Sequence, residues 1–408
     1  MKKITLFSLL LTTFGGFAQS TVQDTINMGA NYANEVFYKL NNNQKSAVAA
    51  SSWNIGFETA TMSATVFSNP ANTKVYRYPN GTNAAFASVD TTGLSTWPQL
   101  YNGIGDYSGA FNQGITNGFD YGWGSYNMTT HQVVGDSLYV ILVGTNAYVL
   151  DIVNRVSGTY NLKFAPLSDL ANPTTLAING TQYQNKNFVF FNLATGAVVD
   201  NELEGFDLWF RKFHGLYGSY SVQTVTGILT APGLEVAAVT VGSGDQASHN
   251  DYQAGTYSTD NNVIGDKWKS VSYTTFQWSV TDTTVYYVKK ENGDIFKLFP
   301  TGFTGNSTGT AYFTIEQIAF AGVENASNTL LDVYPNPATQ IVNVVLDAKS
   351  DITINVRNQM GQTVLVETVT GQAGLTTKQV NIEALTAGMY FVEVVQNGQS
   401  VVKQLVKQ

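Results

Sequence analysis

Between about Gln19 and Gly322 the chain carries the same series of elements twice, and a series that recurs in order folds twice in the same way. The first copy holds Tyr32-Ala33-Asn34, the aromatic run Val36-Phe37-Tyr38-Lys39-Leu40 and then Trp53-Asn54-Ile55-Gly56-Phe57. The second holds Tyr183-Gln184-Asn185, the run Phe188 to Leu193 and then Phe206-Asp207-Leu208-Trp209-Phe210. A Gly/Asn-rich stretch leads in each to a lone tryptophan, Trp123 or Trp268. Paired strands follow, Leu138 to Leu142 with Tyr148 to Leu150, and Val285 to Val288 with Ile295 to Leu298, the latter pair around an Asn292-Gly293 turn. A Gly-Thr-led strand closes each copy, at Gly158 to Phe164 and Gly309 to Ile315. Two homologous antiparallel β domains are therefore expected, over residues 19–172 and 173–324.

Composition agrees with an all-β fold. Charged residues are only 12% of the chain, while Tyr, Phe and Trp number 22, 23 and 6. Aromatic and β-branched residues suit a half-buried pleated surface, and the abundant Asn and Gly suit turns. The net charge of −8, with no Lys/Arg-rich run after the first residues, argues against nucleic acid, which needs a basic stripe. With no cysteine there are no disulfides, thiolate metal sites or lipidated N-terminal cysteine. Neither His-Glu-x-x-His, Gly-x-Ser-x-Gly nor a phosphate-binding loop occurs, and Gly242-Ser243-Gly244-Asp245 lacks the alternating carboxylates of a Ca²⁺ loop. A binding protein is expected rather than an enzyme.

Both ends read as export signals. Lys2 and Lys3 precede the short apolar run Ile4 to Leu11, and Gly16-Phe17-Ala18 supplies small residues at the −3 and −1 positions. That pattern is a signal peptide over 1–18, cleaved before Gln19. No other segment approaches the length of a membrane-spanning helix. At the far end a linker, 325–330, opens a module over 325–408. Pro335 and Pro337 hold its lead-in extended. Ile352, Ile354 and Val356 alternate with Thr353, Asn355 and Arg357, Gly361 turns the chain, and further strands run from Gly388 to Val394 and from Val401 to Val406. Several short strands in so few residues make a small Ig-like β-sandwich.

The module resembles the type A C-terminal sorting domain of the Bacteroidetes type IX secretion system. The resemblance lies in Tyr334-Pro335-Asn336-Pro337-Ala338, in Asn358-Gln359-Met360-Gly361-Gln362, in Leu385 to Val392 and in the basic end Lys407-Gln408. It implies passage across the outer membrane by that machinery and residence outside the cell or on its surface. The repeat unit resembles the HmuY-like haem-binding family, through Trp53-Asn54-Ile55-Gly56-Phe57, the Gly122-Trp123 step, Tyr286 to Leu298 and Gly309-Thr310-Ala311-Tyr312-Phe313. It implies haem as cofactor, and haem or haemoproteins as partners.

Haem iron takes His, Met or Tyr ligands where cysteine is absent. The cargo offers His131, His214, His249, Met28, Met62 and Met128. In the pattern of the resembled family one ligand lies about five residues after the Gly-Trp tryptophan, which implies Met128 in the first copy and Tyr273 in the second. The other comes from the long stretch before it, which implies His249. His131, three residues beyond Met128, would face the other way on a regular strand. Each has a plain structural reading beside it. A histidine among Ser and Asn is a solvated loop residue, a methionine is core filler, and His214 after Phe213 is a strand-end surface residue. The aromatic, Asn- and Gly-rich stretch from Tyr101 to Tyr126 suits a sugar platform instead, because aromatic faces stack on pyranose rings; that makes a glycan-binding adhesin the competing expectation.

Overall fold

The structure is a computed structural model that describes residues 21–60, 63–103, 109–217, 221–319, 330–348, 351–359, 361–370, 374–396 and 399–408. The expected signal peptide, Met62, Met360, residues 104–108 of the aromatic stretch and the linker residues 325–329 lie outside the described residues. The chain is all-β and divides into two compact units, before and after Ile318.

The first repeat supplies β1 (Thr21–Asn27), β2 (Asn34–Tyr38), β3 (Lys45–Ala49), β4 (Ile55–Glu58), β5 (Val66–Ser68), β6 (Thr73–Arg77), β7 (Gln99–Leu100), β8 (Gly124–Asn127), β9 (Gln132–Gly135), β10 (Leu138–Val143), β11 (Asn146–Val156) and β12 (Thr159–Pro166). The second supplies β13 (Thr174–Asn179), β14 (Phe188–Asn192), β15 (Ala197–Val199), β16 (Leu208–Tyr217), β17 (Ser221–Thr230), β18 (Glu235–Thr240), β19 (Lys269–Val271), β20 (Trp278–Val280), β21 (Thr284–Lys289), β22 (Ile295–Phe303) and β23 (Thr310–Ala319). The elements that recur in the sequence thus form recurring strands, but the strands do not stay with their own repeat.

Strand pairing crosses between the copies reciprocally. β13, which opens the second repeat, joins the first repeat's sheet in the order β13-β12-β11-β10-β6-β7, and β1 joins the second repeat's sheet in the order β1-β23-β22-β21-β18. The smaller sheets repeat the exchange, as β15-β14-β4-β5 and β17-β16-β2-β3. Tyr38, Phe37 and Val36 face Leu208, Trp209 and Phe210, while Phe191, Phe190 and Val189 face Ile55, Gly56 and Phe57. The register is the same with the repeats interchanged. The expected limit between residues 172 and 173 therefore falls between two strands that pair across it, β12 and β13, inside one compact unit.

The period-2 alternation explains how one strand serves two cores. On β14, Phe188 and Phe190 enter a core with Phe37, Trp53, Trp209 and Trp268, whereas Val189 and Phe191 enter a second core with Ile55, Phe57, Trp123 and Tyr160. Ring centroids of Phe37 and Trp209 lie 4.8 Å apart, and those of Trp53 and Phe190 lie 4.7 Å apart. Such pairs add about 0.5–1.5 kcal/mol each beyond their area burial. Buried among them, the Arg211 guanidinium lies 3.8 Å over Trp209, and the Trp53 indole donates to Glu35 at 3.2 Å.

The second unit is the expected sandwich. Its strands are β24 (Leu330–Tyr334), β25 (Ile341–Ala348), β26 (Ile352–Asn358), β27 (Thr363–Val369), β28 (Gly374–Asn381), β29 (Gly388–Gln396) and β30 (Gln399–Lys407). They form a β24-β25-β28 sheet and a β27-β26-β29-β30 sheet around one core. Ile352, Ile354 and Val356 are buried, as their alternation requires. Asn336, between the two prolines, donates to Gln404 O at 2.8 Å and accepts from Val406 N at 2.9 Å, which clamps the lead-in to the last strand.

Candidate functional site

A cleft of the first unit forms at the β8–β9 hairpin. The turn Met128-Thr129-Thr130-His131 is set by Asn127, whose side-chain oxygen accepts from Thr129 N at 2.9 Å and Thr130 N at 3.1 Å. His131 N donates to Asn127 O at 2.8 Å, and His131 sits in the left-handed region at φ 53. This turn corrects the expectation that Met128 and His131 oppose each other on a regular strand: they are the two ends of a tight turn. His131 Nδ1 meets the Tyr126 hydroxyl at 2.9 Å. The Phe119 ring stacks on Tyr126 with centroids 6.4 Å apart and planes 15° from parallel. Phe119, Tyr121, Tyr126, His131, Arg155 and Ser157 line a cleft of about 390 Å³, within the usual range for small-ligand sites.

Local hydrogen bonds hold this wall. Tyr126 N donates to Phe119 O at 2.7 Å and Tyr121 N to Gly124 O at 2.8 Å, so the segment before β8 folds back along it. Burial works against ionisation of Asp120. Donors from Gly122 N at 2.7 Å and from Thr116 N and Oγ1 at 2.9 and 2.8 Å, with Arg77 nearby, outweigh it and keep the carboxyl below its ordinary range. Arg155 reaches the cleft from the end of β11, its guanidinium donating to Ala60 O at 2.9 Å. Neither Arg155 nor Ser157 was marked by any sequence motif; Arg155 ends a plain strand and Ser157 opens the β11–β12 turn.

The candidate haem ligands come out in three places. Met128 is 67% exposed on the hairpin tip and does not line the cleft. Tyr273, 74% exposed, lies on the corresponding β19–β20 turn of the second repeat, where Phe276 takes the place of His131. The two turns match in detail: Phe276 N donates to Ser272 O at 2.7 Å, and Phe276 has φ 55. His249 is half-buried on a loop tied to the β21–β22 sheet. The Tyr287 hydroxyl donates to His249 O at 3.1 Å and meets His249 Nδ1 at 2.7 Å. A hydroxyl has one proton, so with that proton on the carbonyl, Nδ1 is the donor and Nε2 carries the lone pair. Lys297 pins the same loop through Ala247 O at 2.9 Å and Asn250 Oδ1 at 2.8 Å. His249 is thus an anchored residue rather than a freely solvated one, on a different sheet from Met128 and His131.

His214 is not at the surface. It is buried, and its Nδ1 accepts from Asn102 N at 3.0 Å, because β16 continues past it and the segment around Asn102 covers it. Met28 is fully buried core.

Comparison with known proteins bears on the second unit. Residues 332–408 match the secretion system C-terminal sorting domain. That match indicates a protein that is secreted or displayed at the cell surface through the type IX machinery. No curated protein matches the chain. Among the described residues no helix is long and apolar enough to cross a membrane.

Proposed function

We propose that the protein is an exported, non-enzymatic binding protein whose first unit holds a ring-shaped ligand, in first place a surface glycan, against the β8–β9 cleft. The observation that carries this reading is the Phe119–Tyr126 stack, whose outer ring is 52% exposed. An aromatic face left in water beside polar rim groups offers a sugar ring both stacking area and hydroxyl partners. The sorting module brings that surface to where glycans are met.

A second reading, haem or a related porphyrin, is favoured by His131. With Nδ1 engaged by Tyr126, its Nε2 is the nitrogen left for iron, the arrangement in which a partner orients a metal-binding imidazole. The resemblance of the repeats to HmuY-like proteins supports it; the separation of Met128, Tyr273 and His249 favours the glycan.

One titration series decides. Oligomers of β-1,4-linked glucose, β-1,4-linked N-acetylglucosamine and α-linked mannose are titrated calorimetrically into the mature protein, and hemin spectroscopically. The glycan reading expects sugar binding that weakens roughly ten-fold in Phe119→Ala, about 1.4 kcal/mol. Undiminished binding in that variant, or no sugar binding, sinks it. A Soret shift lost in His131→Ala would install haem in its place, and an unshifted spectrum removes haem.

A further inference from the structure

A second aromatic cleft, of about 340 Å³, is lined in part by Gln113 and Gly114, on the segment that also carries Phe119. Trp97, Pro98, Leu100 and Pro79 form its apolar wall, with Arg77 and Gln113 beside them. The two clefts share one loop. Gln113 and Gly114 line the Trp97 cleft, while Gly118 and Phe119 line the other. The six steps from Gln113 to Phe119 span at most about 22 Å even when fully extended, and Ile115 between them is exposed.

The loop between the clefts is fastened at several points. Arg77 Nη2 donates to Gln113 O at 2.8 Å and also to Gly122 O. Asn112 Nδ2 donates to Ala64 O at 3.2 Å and Tyr121 O at 2.9 Å, and Asp120 closes the Thr116 turn. The Trp97 ring is itself steadied by Tyr78, with centroids 5.8 Å apart. Trp53, Trp123, Trp209 and Trp268 are fully buried core residues, whereas Trp97 stays partly in water. Two partly exposed aromatic walls joined by one fastened loop can meet rings of one extended ligand without paying to be ordered first.

We propose that the ligand is an oligosaccharide chain laid across residues 113–119, with one ring on Phe119 and another on Trp97. This rests on the glycan reading of the Phe119 cleft and adds to it the second ring site and a preference for chain length. A chain that engages both walls gains from the high local concentration of its second ring once the first is bound.

The test uses the mature full chain and the same sugars at one to six rings. Affinity is expected to rise at least roughly ten-fold between a single ring and the longest chain. Trp97→Ala is expected to remove that gain while single-ring binding persists. Trp97→Phe keeps a ring against Tyr78 and guards against misfolding; in it, the change in tryptophan emission on adding the six-ring sugar should vanish. Equal affinity at all lengths, with the emission change intact in Trp97→Phe, overturns the second ring site and leaves the Phe119 site standing. No binding at any length removes both.

Discussion

His214 is kept neutral by its surroundings. Burial pushes its imidazole down to about 4, and the Arg211 charge pushes in the same direction. The Tyr101 ring stands edge-on to it at 5.0 Å. Between the ordinary value near 6.5 and about 4, the unfolded chain takes up a proton that the native state refuses, so stability falls as the pH drops through that window. The gap is worth at most roughly 3 kcal/mol. Two buried carboxyls act in the opposite sense: burial raises Asp151 to about 6 and Glu202 to about 8, so both favour the native state as the pH falls. The histidine therefore has to be read by difference. His214→Gln, whose amide oxygen can still accept from Asn102 N, should lose less stability than the parent between pH 6.5 and 4.5 in urea unfolding. Parallel profiles would show that the folded His214 takes up its proton as readily as the unfolded one. What separates the three cargo histidines is which neighbour holds each: Tyr126, on the same hairpin, for His131, Tyr287 for His249, and Asn102, 112 residues away in the chain, for His214.

At the scale of the element, the loop from Gln113 to Trp123 packs most tightly at Gly122. Gly122 has φ 81, and a Cβ there would stand 2.5 to 2.8 Å from the Asn112 backbone. Gly122→Ala should cost more than about 1 kcal/mol, because it is strained in conformation and overlaps atoms that cannot swing aside. Gly118→Ala, on the same loop with nothing within 4 Å of the new methyl, should stay within about 0.5 kcal/mol. Thermal unfolding of the two variants side by side checks this, and equal losses would mean that Asn112 does not clasp the loop. The Gly-Trp step was visible in the sequence as a turn before a core tryptophan. The hairpins and their turns were visible too, because alternation and turn chemistry are local. The cleft was only partly visible: the aromatic stretch to Tyr126 stood out, but Arg155 and Ser157 reach it through pairing of β9 with β11, which no local pattern encodes.

At the scale of the whole cargo, the repeat was plain in the sequence and the exchange of strands was not. Periodicity specifies that Phe188 to Asn192 is a strand with two apolar faces. It does not say that β4 of the other copy, rather than the same copy's Leu208 to Phe210, lies beside it. That choice follows from long-range fit: β14 can fill both cores only if it stands between them, with Phe190 against Trp53 and Phe191 against Phe164. If the repeats are joined by exchanged strands, the covalent link between them carries little of the stability. The segment between β12 and β13, residues 167–173, is mostly exposed and accepts a protease site. Cutting there in the folded protein should leave both halves eluting together in gel filtration and separating only in denaturant, since β1, β2, β13 and β14 each pair with the opposite repeat. Two self-contained domains would part as soon as the link is cut, and such a result would reassign every inter-repeat pairing described above.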